Sequence, residues 1–408
     1  MSKDNTKKKV CVVGAGIAGL CSARFLAAYP ETFDFVVFEK NKDIGGTWIY
    51  SENIGHDEHG LPIHSSMYKN LREEPVHIVY IKFNILVENI RPMRKSNNEN
   101  TETWNVKVKN LENKSTEELQ FDAVMICIGH HSVPHVPKII GSETFPGKML
   151  HSHSYRRPEE FRDEKVLLLG ANYSGIDIAL ELTKYASQVY LSHEKDKLKY
   201  QLPENIIQVP GVAKINGNSV YLKDKDSTVL TVDNFIYCTG YLYSFPFLDN
   251  ECGIELDDNY ITPLYRHMIN IDHPTMCFIN LPNDVIPFIT SHMQVQLFVS
   301  VLKGTLKLPS REVMMEDIKL QENQRKKDYH NLGDVHWLYL KCLIEQAKLE
   351  PLPGFYENGL KKWFNAFYKY PSDVKNLKFV ISEDRESARL LNQFGEEVLV
   401  PETSNASS

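Results

Sequence analysis

Two glycine turns, Gly14–Gly19 with G-x-G-x-x-G spacing and Gly170–Gly175 with G-x-N-x-x-G, each lie between a short apolar run and a segment of helical period. With the acidic Glu39 at the end of a second apolar run, they predict an α/β protein with two Rossmann-like dinucleotide-binding domains.

The first unit opens with Val10–Val13, a run of buried-strand type, and continues from Ile17 as a helix with apolar residues at Leu20, Phe25 and Leu26. Between them Gly14 permits backbone reversal, Gly16 lets the chain approach a pyrophosphate, and Gly19 lets helix and strand pack closely. The helix N-terminus, reached through Ala15, Ile17 and Ala18, favours the negative charge. "FDFVVFEK" is the next strand and ends in Glu39, 20 positions beyond Gly19, where a carboxylate accepts hydrogen bonds from an adenosine ribose. "DIGGTW" follows, and its Gly45, Gly46 and Thr47 permit a second close backbone approach while Trp48 is suited to cover a flat ring.

From His77 to Met93 the pattern is strand-like, "TWNVKVKN" alternates polar and apolar residues, and "LQFDAVMICIG" ends in an apolar strand, which predicts a β-meander inserted in a parallel sheet. The opening logic then repeats. Val166–Leu169 is a strand, Gly170–Gly175 a turn, Ile176–Tyr185 a helix and Val189–Leu191 the next strand. Here Asn172 replaces the middle glycine, and asparagine is expected to supply left-handed geometry, while Ser174 and the helix amides can bond phosphate. Asp177 reads as a charge favoured by the helix dipole. At the end of the next strand, "SHEKDK" leaves the coenzyme open: Glu194 suits a ribose hydroxyl, whereas His193, Lys195 and Lys197 suit a 2′-phosphate. Asn216-Gly217 marks a hairpin, and four amphipathic helices are expected after residue 285.

Composition narrows the rest. The 408 residues are 42% hydrophobic and 24% charged, as in a globular protein of two or more domains, and the net charge of -7 gives no reason to expect nucleic acid or an anionic membrane as partner. No run of 18 or more uncharged apolar residues predicts a transmembrane helix, and the polar tail "PETSNASS" reads as frayed. Seven scattered cysteines without C-x-x-C argue for reduced thiols in a cytoplasmic setting. The histidines have no metal-like spacing, so no metal is expected.

Phe145, Gly147, His151 and Tyr155 follow F-x-G-x-x-x-H-x-x-x-Y between the two turns. With "GAGIAGL", "GGTW", "SSMYKNLR", "GANYSGIDI", "FIYCTGYLYSFPFL" and "KGTLKLPS", the chain resembles the flavin-containing monooxygenases, most of all their insect branch, over nearly its whole length. The resemblance implies a three-layer flavoprotein fold: FAD-binding residues 1–150, NADPH-binding residues 151–244, and 245–408 as the second part of the FAD domain with the C-terminal helices. It implies an enzyme of N,N-dimethylaniline monooxygenase type using FAD and NADPH. Its substrates are O2 and a small nucleophile, often a xenobiotic, N- or S-oxygenated through a C4a-hydroperoxyflavin. Gln294 aligns with a glutamine beside the cofactors, no side chain is assigned as catalytic, and a homodimer is compatible with this reading. One departure stands out. After Leu71-Arg72 the family continues with a threonine-asparagine pair, a leucine-proline segment and an aromatic loop, whereas this chain runs into "EEPVHIVYIKFN". The missing segment makes an uncoupled NADPH oxidase or an inactive flavin-binding relic the alternatives. A Baeyer-Villiger monooxygenase is a further one, against which Tyr155 counts, because that class carries tryptophan there.

Overall fold

The computed structural model describes residues 7–65, 80–94, 102–194, 198, 201–257, 259–325, 329–369 and 371–398. The chain divides into two units, residues 1–133 with 241–350 and residues 134–240 with 351–408.

In the first unit, β1 (Lys8–Val13) leads through the first glycine turn into α1 (Ile17–Ala27) and back to β2 (Phe33–Phe38). β1 pairs parallel with β2, with Val10 opposite Phe35, and on its other side with strand Ala123–Ile126. Its sheet has seven strands: Leu264–Tyr265, Ile269–Asn270, Met276–Phe278, Ala123–Ile126, β1, β2 and Ile81–Lys82. Val10, Cys11 and Val12 are fully buried, as expected of a central parallel strand covered on both faces. The expected meander is present as strands Ile85–Arg94, Glu102–Asn110 and Thr116–Phe121. Its Val87, Ile90, Trp104, Val106 and Phe121 share one core with Cys11, Val13, Phe38, Val124 and Ile126 of the sheet. Because strand residues alternate in direction, the other sheet face is left to α1 and to α3 (Pro287–Leu302), whose Phe25 and His292 rings meet at 5.0 Å. Meander, sheet and helices make the three layers.

The second unit is a five-stranded parallel sheet in the order Ile206–Val209, Gln188–Ser192, Lys165–Leu169, Asn234–Tyr237, Lys148–His151. α2 (Tyr173–Leu182) follows the second glycine turn and starts three residues earlier than the apolar pattern suggests, because Asn172 already caps it. The Asn216-Gly217 turn joins strands Val212–Asn216 and Ser219–Leu222, with Gly217 at φ 55°.

The four C-terminal helices are α3, Arg311–Arg325, His336–Ala347 and Gly354–Lys369, as the sequence predicts. Their expected assignment to one domain needs correction: the first three belong to the first unit, but helix Gly354–Lys369 and the hairpin Lys378–Ile381/Ala388–Leu391 group with the second. The reason is local packing. Phe367 is buried against Trp363 and lies 6.3 Å from the Tyr173 ring, and Lys375 pairs with Asp177 at 3.3 Å.

Candidate functional site

The first glycine turn is shaped by backbone crowding. Gly14 sits at φ +97°, and a Cβ there would come 2.8 Å from the Cys127 carbonyl oxygen; at Gly19 a Cβ would overlap the Gly14 carbonyl oxygen. Gly16 differs: its φ is -76°, and a Cβ would meet nothing nearer than Gly46 Cα at 3.8 Å. Its open face leaves room for another group to approach the backbone. Gly46, at φ +60°, faces it across a gap that a Cβ would narrow to 3.3 Å, and Gly45 N–H donates to the Ala15 carbonyl at 3.0 Å. The two glycine-rich stretches, separate in sequence, are therefore one cradle.

Glu39 closes that cradle. It is 5% exposed; its Oε2 accepts from Ala15 N–H at 2.7 Å and its Oε1 from Asn41 N–H at 2.9 Å. A carboxylate has about four acceptor sites, so two remain for donors such as ribose hydroxyls. Ile17 and Ala18 form the first turn of α1, whose free N–H groups and dipole favour an anion there. Thr47 is exposed, and Trp48 is half-buried with its ring 5.3 Å from Phe288 at the start of α3.

Gln294 is not on the cradle surface. It is fully buried, its Oε1 accepts from Asn280 N–H at 2.7 Å and its Nε2 donates to the Tyr339 hydroxyl at 2.7 Å, which in turn donates to the Arg266 carbonyl at 2.9 Å. Both ends of the amide are committed, one to the loop before α3 and the other to helix His336–Ala347. Asn280, at φ 60°, buries an Oδ1 without a partner among the described residues, a feature sequence reasoning missed because nothing in "FINLPND" marks it.

The second turn repeats the first. Gly170 lies at φ +110°, and Cβ atoms at Gly170 and Gly175 would overlap the Cys238 and Gly170 carbonyl oxygens. The left-handed geometry expected of Asn172 is absent. It has φ -91° and ψ -170°, close to the -76° and -170° of Gly16, so the middle position of neither turn uses a positive φ. Its Oδ1 instead accepts from the N–H of the next residue, Tyr173, at 3.0 Å, at the N-cap position of α2, and the side chain is spent on its own backbone. Ser174 is half-buried in the first turn of α2. Asp177 is not the expected helix-dipole charge: it lies in the middle of the helix and pairs with Lys375. His193 and Glu194 follow strand Gln188–Ser192 directly and line a cleft of about 480 Å³, whereas Lys195, Lys197 and the stretch 66–79, which includes the family departure, lie outside the described residues.

The F-x-G-x-x-x-H-x-x-x-Y residues are structural in the second unit. Phe145 packs on Phe235 at 6.4 Å, and a Cβ at Gly147 would overlap the Asp233 carbonyl oxygen. His151 Nδ1 accepts from His153 N–H at 3.0 Å, and burial lowers its pKa to about 4, which keeps the ring neutral. Tyr155 stacks on Phe161 and donates to Glu181 at 3.2 Å; burial, then the Glu181 charge, push its pKa up. All seven cysteines are unpaired, and burial pushes the Cys127 thiol up to about 12, which removes the thiolate a redox or nucleophilic role needs. Among the described residues no group of three or more His, Cys, Asp or Glu is placed to hold a metal, and no helix is long and apolar enough to cross a membrane.

The family model described as flavin-binding monooxygenase-like matches residues 64–201 and 194–345, and an NAD(P)-binding Rossmann-like model matches 12–73. The chain belongs to the flavin-binding monooxygenase-like family. Senecionine N-oxygenase of Tyria jacobaeae is 33% identical over 401 residues, covering 87% of this chain and 86% of that protein. Among solved structures, Tmm from Pelagibacter sp. strain HTCC7211 superposes with a TM-score of 0.80 at 25% identity, covering 93% of this chain and 95% of its own. S-allyl-L-cysteine S-oxygenase from Allium sativum gives 0.78 at 26%, covering 91% and 95%. This flavin monooxygenase is thus an FAD- and NADPH-dependent enzyme of small molecules, and the turns described above fit both cofactors.

Proposed function

We propose that this enzyme N- or S-oxygenates soft nucleophilic small molecules, in the manner of N,N-dimethylaniline monooxygenases. FAD would be held by Gly14, Ala15, Gly16, Ile17, Ala18, Gly19, Glu39, Gly46, Thr47 and Trp48, and NADPH by Gly170, Asn172, Ser174 and Gly175. The observation that carries this is the duplicated cradle: two glycine turns with the same backbone collisions behind them and an unobstructed helix start in front. The relatives' names, an N-oxygenase and an S-oxygenase, support the substrate class.

When bound, FAD supplies the oxygen-activating chemistry through the route the family resemblance implies. This chain's residues supply the binding. Glu39 would accept from ribose hydroxyls, the α1 and α2 amides would receive the diphosphates, and Trp48, with Phe288 beside it, would cover a flat ring. Gln294 acts by positioning Asn280 rather than by touching a ligand. A cytoplasmic setting, where seven unpaired thiols stay reduced, and a homodimer of copies that each carry both cradles belong to this reading.

Purified protein should be yellow, bleach in the flavin band when NADPH is added without oxygen, and turn over a tertiary amine or a sulfide. NADPH consumption matched by peroxide release, with no oxygenated product, would assign an uncoupled oxidase instead. The family segment replaced by "EEPVHIVYIKFN" gives that outcome its reason. A yellow preparation whose flavin band NADPH does not bleach, with neither product nor peroxide formed, would leave only the flavin-binding relic.

A further inference from the structure

The parallel strands Met276–Phe278 and Ala123–Ile126 of the first unit end side by side, and Ile279 N–H donates to the Ile126 carbonyl at 2.9 Å. Asn280 follows the first of these strands and His130 the second. Both line a cavity of about 10 Å³, together with Tyr243 and the apolar Ile126, Phe245 and Phe278. The place is where the chain leaves the first unit, after Val133, and re-enters it at Tyr241, whose ring lies 5.1 Å from that of His131.

Of the three polar side chains, one is taken up. The Tyr243 hydroxyl donates to the Leu281 carbonyl at 2.9 Å and accepts from Asn283 Nδ2 at 2.8 Å. The other two are not: His130 Nδ1 and Asn280 Oδ1 are both buried, and neither has a hydrogen-bond partner among the described residues. Leaving two such atoms unpaired in one apolar cavity is costly, and native structures seldom do so. Nor is Asn280 loosely placed. Its φ is 60° and its N–H donates to the fully buried Gln294 at 2.7 Å, so its backbone is held in a left-handed conformation.

Size and bonding together define what would satisfy both atoms. A cavity of about 10–15 Å³ is enough for one water molecule, and two polar partners can hold it. Asn280 Oδ1 only accepts, so the guest must donate to it, which excludes an anion or a carbonyl. Burial, then the neighbouring His131 charge, lowers the His130 pKa to about 3, opposed only in part by the Asn283 side chain and the Asn280 backbone. The ring is therefore neutral, and Nδ1 gives or takes one hydrogen bond according to its tautomer. Water serves either case.

We propose that His130 and Asn280 bind one structural water molecule in this cavity, and that it ties the chain leaving the first unit to the loop before α3. The bond from Asn280 to Gln294 then has a purpose, which is to hold one of the two water-binding groups in place.

A crystal structure of the FAD-loaded full-length protein at atomic resolution should show one water within hydrogen-bond distance of both atoms. In solution, oxygen-17 relaxation dispersion should count one long-lived water fewer in His130→Phe, which keeps a ring but loses both nitrogens. Urea unfolding separates this from packing. His130→Phe leaves Asn280 Oδ1 unpaired, and adding Asn280→Gly, which suits a φ of 60°, removes that atom, so the double variant should have the higher urea midpoint. The proposal is overturned by a map in which the two atoms bond each other or another protein group, by equal counts of long-lived water in wild type and His130→Phe, or by a double variant less stable than His130→Phe. Should His130→Phe fail to fold, the wild-type map alone decides between these outcomes.

Discussion

Gly16 and Gly19 look alike in the sequence, yet their surroundings predict opposite consequences of the same substitution. A methyl at Gly19 overlaps the Gly14 carbonyl oxygen, so Gly19→Ala must move backbone and should destabilise the first unit by about 3 kcal/mol. A methyl at Gly16 has only Gly46 Cα at 3.8 Å, and its φ of -76° suits alanine. Gly16→Ala should stay within about 1 kcal/mol of wild type in urea unfolding, the cost of a poorer N-cap, yet purify with little flavin because the methyl stands where the diphosphate approaches. Equal stability loss in the two variants would refute this division of roles. Glu39 was legible for the same reason as the glycines: its role depends on local spacing. Asn172 and Asp177 were not, since a cap bond to Tyr173 and a partner 198 positions away at Lys375 leave no periodic trace.

At the scale of elements, periodicity and turn chemistry predicted the strands on either side of each glycine turn unit, the meander, the Asn216-Gly217 hairpin and all four C-terminal helices, but not the short strands at 264–278 or the hairpin Lys378–Ile381/Ala388–Leu391. What they could not predict was allegiance. Helix Gly354–Lys369 has an apolar stripe that any neighbour could cover, and only tertiary packing assigns it to the second unit. The anchors there differ in weight. Phe367 is 5% exposed and stacked 5.6 Å from Trp363, so Phe367→Ala should cost about 3 kcal/mol through the cavity it leaves. The Lys375–Asp177 pair involves a lysine that is 56% exposed, and Lys375→Ala should cost well under 1 kcal/mol. Thermal unfolding of both variants tests the ranking, and a larger loss for Lys375→Ala would show that charge and not burial ties the segment down.

Across the molecule, the buried histidines of the first unit couple stability to pH. His330 is 2% and His336 3% exposed, and burial lowers both pKa values to about 4. His330 is held between His267 Nδ1 at 3.2 Å and the Ile261 backbone, and His336 Nε2 contacts Thr290 Oγ1 at 2.9 Å, so among the described residues neither is bonded to a carboxylate that would stabilise its charged form. In the unfolded chain a histidine titrates near 6.5, so below that pH the unfolded state binds protons that the folded state refuses. Stability is therefore full above about pH 6.5, falls by roughly 1 kcal/mol per pH unit for each of these groups, and levels off below about pH 4 as the folded protein also protonates. His336→Gln should keep a hydrogen bond to Thr290 and make this fall shallower, even where its stability at pH 8 is lower. Urea titrations at half-unit steps from pH 8 to 4 measure the slope. An unchanged slope in the variant would mean that His336 binds its proton as readily in the folded state as in the unfolded one, and would refute its part in this coupling.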